Sequence, residues 1–167
     1  MRQVEVEAAV AAQRPEWVVL VVTRRADGFV DVMPAGWVMR ASGMPPMFAI
    51  AVNRANYTND LIREAAEFVL AFPSVRMSSV VSFCGSHTGR DTDKVAATGL
   101  RLQPATVLAT PLLAEAFVAF ECRLRTIAEA GDHTVFIGEV VVAHAGDHPG
   151  PLVNFGDHFG LAVAAPR

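Results

Sequence analysis

The sequence predicts a mainly β protein, a six-stranded antiparallel barrel with a few short helices. Three observations support this fold class. Six segments rich in β-branched and aromatic residues have the character of strands. Hairpin-type turns connect neighbouring strands, and only two or three short segments show helical spacing. Together these patterns favour an antiparallel barrel with helical insertions.

The first two strands form a predicted hairpin. Residues 17–23 (WVVLVVT) are almost all aromatic or β-branched, and the Asp27-Gly28 pair that follows is a strong hairpin signal. Residues 29–33 return as the second strand. The later strands are predicted at residues 47–52, 67–72, 116–129 and 134–143.

The last two strands differ in their patterns. Along residues 116–129, Val118, Phe120, Cys122 and Leu124 alternate with Ala119, Glu121, Arg123 and Arg125. This period of two predicts one buried face and one solvent-exposed face, with Glu121 on the exposed one. Residues 134–143 are nearly uncharged, which suits a strand buried on both faces. The turn Gly131-Asp132 leads into this strand, so His133 lies at its mouth.

Short helices are predicted between the strands. Their positions are residues 59–66, 74–83 and 91–98, and Gly99 closes the last of them as a C-terminal cap. Residues 34–43, 83–90 and 104–113 are predicted to be loops or irregular, and the chain beyond residue 143 is rich in turn formers.

The overall composition predicts one domain spanning residues 1–167. Hydrophobic residues make up 52% and charged residues 19%, which is apolar for a soluble protein. We therefore expect some apolar surface to be buried against a cofactor or against another copy of the chain.

Charge and cysteine content restrict the classes of partner and compartment. The net charge is −3 without any block of like charges, so neither nucleic acid nor a membrane is an expected partner. Cys84 and Cys122 lie far apart without a CxxC pair, which favours reduced thiols in a cytoplasmic protein. The first 13 residues lack the apolar core of a signal peptide.

The turn-rich tail raises the question of a metal site. Its candidate ligands are His144, Asp147, His148 and His158. Their spacing matches no strong ligand pattern, so no metal is expected. The tripeptide Gly-Asp-His occurs at 131–133, 146–148 and 156–158, which we interpret as recurring turn chemistry because the flanking residues differ.

Four segments, in order, resemble the flavin reductase-like FMN-binding proteins, the split-barrel group that includes flavoredoxins and the reductase components of two-component monooxygenases. The segments are residues 31–46 (DVMPAGWVMRASGMPP), 53–60 with Thr58, 83–94 (FCGSHTGRDTDK), and Glu121-Cys122-Arg123 followed by GDHTVFIGEV. With the flanking strands, the resemblance covers residues 17–159.

The resemblance implies a six-stranded split barrel that forms a homodimer, with FMN near the dimer interface. It places Trp37, Val38 and Met39 along the flavin ring, Thr58 at the phosphate or ribityl chain, and Lys94 where it would neutralise the phosphate. Ser42, a small residue in a tight loop, is a further candidate near the phosphate. It also places His133 beside the flavin edge, as the candidate catalytic residue, and Phe159 near the ring. Asp31 departs from the family, which often has Asn there, so direct contact between Asp31 and the flavin is not expected.

Physical arguments bear on two of these residues. Thr58 lies at a predicted helix start, where free N–H groups favour an anion. Lys94 lies in the first turn of its predicted helix, where the dipole disfavours a cation unless an anion is near. A bound phosphate would supply that anion. The carboxylates of the neighbouring Asp91 and Asp93 are the alternative source of negative charge.

Each residue also has a simpler interpretation. Thr58 could be an ordinary helix cap, and Lys94 a solvated surface lysine. Trp37 could belong to the core or to a dimer interface, and His133 could be a locally bonded turn residue. The resemblance is what favours the functional interpretations.

The function implied by the resemblance is an FMN-dependent reductase that takes a hydride from NADH or NADPH and passes electrons to oxygen, to free flavin or to a partner oxygenase. No GxGxxG or P-loop pattern occurs, so the nicotinamide is not expected to bind through a Rossmann fold. Two alternatives remain open: a non-enzymatic FMN electron carrier, and a related split-barrel protein that binds another ligand.

Overall fold

The computed structural model describes residues 1–156 and 159–161, and for 159–161 it describes the backbone only. The elements in chain order are α1 (Val6–Ala11), β1 (Glu16–Trp17), β2 (Val19–Arg24), β3 (Val30–Ala35), β4 (Val38–Gly43), β5 (Pro46–Asn53), α2 (Tyr57–Ala65), β6 (Glu67–Pro73), a 3-10 helix (Val75–Met77), α3 (Ser78–Ser86), α4 (Lys94–Thr98), β7 (Leu102–Gln103), β8 (Leu112–Leu113), β9 (Ala116–Ala130), β10 (His133–Ala145), β11 (Leu152–Asn154) and β12 (Phe159–Leu161).

The main sheet has seven antiparallel strands in the order β3-β2-β6-β9-β10-β5-β4. All six predicted strands lie in it, and the predicted mainly β, antiparallel architecture with a few short helices is confirmed. Two small sheets, β1-β11-β12 and β7-β8, flank the main one.

The segment 34–43 differs from its prediction as a loop. Residues 38–43 form β4, which pairs with β5 from Val38 opposite Ile50 to Gly43 opposite Pro46. Its small residues and its single charge gave little strand signal, but the hairpin with β5 satisfies its backbone hydrogen bonds. The segment is therefore an edge strand, and Trp37 immediately precedes it.

The strands bury two apolar clusters on the two faces of the sheet. In β2, Val19 and Val21 join one cluster, whereas Leu20 and Val22 join the other, so this strand is buried on both faces. The first cluster also contains Phe68 and Phe136, and the second packs against α3. Contacts between β3 and β5 bring opposite ends of the sheet together around the first cluster.

The prediction that Glu121 faces solvent is wrong. Its side chain is fully buried, and Ala119 on the same face is buried as well, so of the residues predicted to be exposed only Arg123 and Arg125 are. Its carboxylate accepts hydrogen bonds from the backbone N–H groups of Thr106, Val107 and Leu108 at 2.7, 2.9 and 3.0 Å, and it lies 2.7 Å from His144 Nε2. A two-residue period cannot reveal these partners, because they come from a segment without regular structure.

Within the part of the chain that the structure describes, no helix is long and apolar enough to cross a membrane. Over the same residues, no group of three or more His, Cys, Asp or Glu side chains is arranged to hold a metal ion. His158, one of the ligands considered above, lies outside the described residues.

Candidate functional site

Two clefts flank the segment 34–37, which contains the end of β3 and the two residues that connect it to β4. The first, which we call the apolar cleft, has a volume of about 890 Å³ and is lined by Trp37, Val38, Met39, Ile50 and Val135 together with one side of α1. The second, the polar cleft, has a volume of about 380 Å³ and is lined by Asp31, Thr58, Lys94, Ser86, His87 and Thr88, among others. Pro34 lines the polar cleft, and Gly36 and Trp37 line the apolar one.

Large apolar side chains at the apolar cleft are exposed. Trp37 is 56% exposed and Met39 is 64% exposed, and Trp17 on β1 adds a third exposed side chain at 48%. Exposed apolar groups that cluster at a concave surface are typical of a ligand site or of a protein interface.

His133 lies beside Trp37 at the start of β10. The two rings have centroids 4.5 Å apart and planes tilted by 34°, so the imidazole packs on the indole. His133 Nδ1 lies 2.7 Å from Asp132 Oδ1, and Asn53 Nδ2 donates to Asp132 Oδ2 at 3.2 Å. The antiparallel register places His133 opposite Asn53 on β5, which explains how these three polar residues meet.

Lys94 and Asp31 form a buried ion pair at the floor of the polar cleft. Their side chains are 3% and 1% exposed, and Lys94 Nζ lies 3.0 Å from Asp31 Oδ1, a contact without full hydrogen-bond geometry. Lys94 Nζ also donates to the carbonyl oxygen of Val32 at 2.9 Å, and Thr58 Oγ1 donates to Asp31 Oδ2 at 2.9 Å. The carboxylate of Asp31 thus has a partner at each oxygen.

Three separate elements bring this cluster together. Asp31 lies on β3, Thr58 in the first turn of α2, and Lys94 at the first residue of α4. Asp93 caps α4 by accepting a hydrogen bond from the backbone N–H of Ala96 at 2.9 Å, so it is not the partner of Lys94. A lysine in the first turn of a helix is disfavoured by the helix dipole. The anion that offsets this effect for Lys94 is therefore the carboxylate of Asp31 on β3.

The loop after α3 closes over the buried ion pair. A Cβ atom on Gly89 would lie 2.3 Å from Asp31 Oδ1, so only glycine allows this close approach. At the end of α3, Ser86 Oγ donates to the carbonyl oxygen of Phe83 at 3.0 Å, and the His87 ring stacks on Phe83 with centroids 4.0 Å apart. The loop therefore presents small residues, a hydroxyl and backbone groups to the cleft.

Cys84 lies under the same loop. Burial raises the pKa of the Cys84 thiol to about 11, with Lys94 opposing this effect and Asp31 adding to it. The sulfur is therefore a neutral thiol near neutral pH and a poor nucleophile.

The structure groups most of the candidate residues into these two clefts. Trp37, Val38 and Met39 line the apolar cleft, and His133 contacts Trp37. Thr58 and Lys94 line the polar cleft. Ser42 lines neither, and its hydroxyl accepts a hydrogen bond from the backbone N–H of Met44 at 3.3 Å in the β4–β5 turn. The side chain of Phe159 lies outside the described residues.

Sequence reasoning did not identify Asp132 and Asn53 as neighbours of His133, and it did not pair Asp31 with Lys94. The adjacency of Asp132 and His133 in the Gly-Asp-His turn is a usable signal for the first group. No local signal exists for the ion pair, because its two residues belong to distant parts of the chain.

The chemistry of the two clefts is complementary. The apolar cleft, lined by Trp37 with His133 packed against that ring, can hold a flat ring system. The polar cleft offers hydroxyl groups and a lysine, and the negative charge of Asp31 is offset by Lys94. Such donors suit an anionic group.

Comparison with known proteins identifies the family. Residues 12–161 match the model of the flavin reductase like domain. An uncharacterised protein of Aeropyrum pernix is 35% identical over 148 residues, which cover 88% of this chain but only 56% of that protein. The reductase component of the 4-nitrophenol 4-monooxygenase/4-nitrocatechol 2-monooxygenase of Rhodococcus opacus is 28% identical over 145 residues, covering 87% of this chain and 74% of that protein.

A solved structure extends this similarity to the fold. The FMN-binding protein from Thermus thermophilus with bound p-hydroxybenzaldehyde has a TM-score of 0.85 and 26% identity to this chain, and covers 99% of this chain and 100% of its own. Because the family model matches most of the sequence, the chain belongs to the flavin reductase-like domain family, and its antiparallel fold is the split barrel of that family.

Proposed function

We propose that the protein binds FMN and acts as a flavin reductase that uses NADH or NADPH. The observation that carries this proposal is the placement of two complementary clefts on either side of the segment 34–37: an apolar one lined by Trp37, on which His133 packs, and a polar one over Lys94 and Thr58. An elongated ligand with a flat ring at one end and a phosphate at the other matches this pair of clefts. Family membership and the FMN-binding relative of known structure support the same ligand.

The polar cleft fits a phosphate monoester. Asp31 would repel a phosphate if it were exposed and unpaired, but it is 1% exposed and its charge is offset by Lys94. The close approach of Gly89 leaves no room for a side chain over this carboxylate. We propose that Lys94 and Thr58 lie at the phosphate end of the ligand and that Ser42, on the neighbouring hairpin, is a more distant contributor.

The apolar cleft fits the ring end. Trp37, Val38 and Met39 would provide the surface along the ring, and Phe159 would add to it from the C-terminal segment. His133 would form a hydrogen bond at the edge of the flavin ring and hold the flavin and nicotinamide rings at reacting distance. FMN, when bound, supplies the redox chemistry by accepting a hydride from the nicotinamide, while the protein supplies binding and orientation.

The absorbance spectrum of the purified protein tests this function. A flavin spectrum that NADH or NADPH bleaches rapidly supports the reductase, whereas a flavin that only protein donors reduce indicates an electron carrier. A protein without flavin that takes up none when FMN is added would refute both. Because the relatives include an oxygenase reductase component, we propose that a partner oxygenase is one acceptor of the electrons.

His133→Ala is expected to slow reduction of the bound flavin by roughly tenfold to a hundredfold, the scale of one lost positioning contact. The fold should survive, because His133 lies at the start of a strand and outside both apolar clusters. Stopped-flow reduction by NADH measures the rate, and a thermal melt is the control. An unchanged rate would make His133 an ordinary turn residue, and a collapsed melt would assign it a structural role.

We also propose a homodimer in which a second copy covers the apolar cleft. The exposed side chains of Trp37 and Met39 provide the surface, and light scattering at micromolar concentration should give twice the chain mass. Met39→Glu should shift this equilibrium toward the monomer. Leu102→Glu, a matched change of an exposed apolar residue outside the cleft lining, should not. A monomeric parent protein with FMN present would contradict the proposal.

A further inference from the structure

The Gly-Asp-His turn at 131–133 holds its histidine in a hydrogen-bonded chain. Asn53 begins the chain: its Oδ1 accepts from the backbone N–H of Ala55 at 2.9 Å, and its Nδ2 donates to Asp132 Oδ2 at 3.2 Å. The other oxygen of Asp132 lies 2.7 Å from His133 Nδ1. The backbone N–H of Arg54 donates to the carbonyl oxygen of Asp132 at 3.0 Å, which fixes the turn itself.

This series of hydrogen bonds determines which nitrogen of His133 carries the proton. A carboxylate accepts but does not donate hydrogen bonds, so Asp132 Oδ1 requires a proton on Nδ1. In the neutral imidazole, Nε2 is then left with a lone pair. The ring packs on Trp37 and its side chain is 19% exposed, so the structure holds it with Nδ1 toward Asp132.

We infer that Asp132, supported by Asn53, is a positioning residue that fixes His133 as the Nδ1–H tautomer, so that Nε2 accepts a hydrogen bond from an N–H group of a ring ligand at the rim of the apolar cleft. The tautomer follows from the hydrogen bonds among Asn53, Asp132 and His133, whereas the identity of the ligand rests on the proposed function. Two ring ligands of a flavin reductase carry such a donor: the nicotinamide, in its carboxamide, and the flavin, in its imide N–H.

The tautomer is tested first on the ligand-free protein. The ¹⁵N chemical shifts of the His133 ring at pH 8 should show a protonated Nδ1 and an unprotonated Nε2. Asp132→Ala should shift the ring toward the mixture of tautomers of an unconstrained imidazole. The fold should be retained, since the Asp132 side chain is 79% exposed.

The second Gly-Asp-His, at 146–148, offers a matched control. The structure describes both Asp147 and His148 and shows no hydrogen bond between their side chains, so Asp147→Ala should leave the His133 spectrum unchanged. An Nε2–H tautomer in the parent protein would overturn the inference, as would a tautomer that Asp132→Ala does not alter. Neither result depends on whether the protein is a reductase.

Kinetic measurements then test the role in ligand binding. Asp132→Ala should slow reduction of bound flavin by NADH about three- to tenfold, the range expected for one hydrogen bond of modest strength. In the His133→Ala background the same change should have no further effect, because Asp132 acts through the imidazole. An effect of equal size in that background would overturn the positioning role.

Substrate analogues identify the N–H donor. If the donor is the nicotinamide carboxamide, the 3-acetylpyridine analogue of NADH, which lacks that N–H, should react equally slowly with the parent protein and with Asp132→Ala. If the donor is the flavin imide, Asp132→Ala should instead weaken FMN binding three- to tenfold. It should then slow flavin reduction by NADH and by the 3-acetylpyridine analogue to the same extent. Parent-like rates and parent-like FMN affinity in Asp132→Ala would overturn the acceptor role of Nε2.

Discussion

Lys94→Met is expected to lower the free energy of unfolding by about 3–5 kcal/mol, the cost of removing one partner from a buried ion pair. Methionine keeps most of the aliphatic side chain but loses the contacts of Nζ with Asp31 and with the carbonyl oxygen of Val32. The carboxylate of Asp31 would remain 1% exposed with only the Thr58 hydroxyl as a hydrogen-bond donor. Urea denaturation followed by circular dichroism measures the change.

A double-mutant cycle separates the ion pair from other effects of the substitution. Asp31→Asn together with Lys94→Met removes both charges, so the double variant should be more stable than Lys94→Met alone. Arg101→Met is the control, because Arg101 pairs with Glu115 at the surface with its side chain 72% exposed, and its loss should cost less than about 1 kcal/mol. Equal stability of Lys94→Met and the parent protein would contradict the buried pair.

The same variants test the proposed role of Lys94 toward FMN. Lys94→Met should weaken FMN binding by roughly tenfold to a hundredfold, whereas binding of riboflavin, which lacks the phosphate, should change little. If Lys94 acts by offsetting the charge of Asp31, the double variant with Asp31→Asn should recover FMN affinity. If Lys94 contacts the phosphate directly, the double variant should stay weak. Equal weakening of FMN binding and riboflavin binding would show that Lys94 does not act at the phosphate end of the site.

The parts of the fold that local patterns encode were predictable. The Asp-Gly turn at 27–28 depends on neighbouring residues and occurs where the sequence places it. Gly99 ends α4 with a positive φ of 68°, as a C-terminal cap should. His133 was expected at the mouth of a strand, and it is the first residue of β10.

The features that depend on distant residues were not predictable. The helix dipole indicates that Lys94 needs an anion, but the helix itself cannot show that the anion is Asp31 on β3. Edge strand β4 has weak strand propensity and exists because β5 pairs with it. Glu121 is buried against the alternation predicted for β9, because a loop that lies over the sheet supplies backbone donors to its carboxylate. In each case tertiary contacts override a local preference.

Glu121→Gln is the second substitution with a large expected effect, about 3 kcal/mol or more of lost stability. The carboxylate accepts three backbone N–H groups and contacts His144, and a glutamine amide can replace only one of its two acceptor oxygens. Hydrogen bonds to buried charged groups contribute about 1.5–3 kcal/mol each, and donors left without an acceptor add a desolvation cost. Glu139→Gln, at an exposed pair with Arg125, is the matched control and should change stability little.

The pH dependence gives this prediction a distinct signature. Burial opposes the charge of Glu121, but the hydrogen bonds from Thr106, His144, Val107 and Leu108 outweigh it, so the pKa of Glu121 is held below its ordinary value. A carboxyl group whose folded-state pKa is lowered contributes stability that is fully present above its unfolded pKa, about 4.3 for a glutamate, and that is lost as the pH falls toward the folded pKa. The difference in unfolding free energy between the parent protein and Glu121→Gln should therefore shrink as the pH falls below about 5, where His144, 2.7 Å from the carboxylate, no longer changes its own charge. A difference that keeps growing below about pH 5 would contradict the buried, charged state of Glu121.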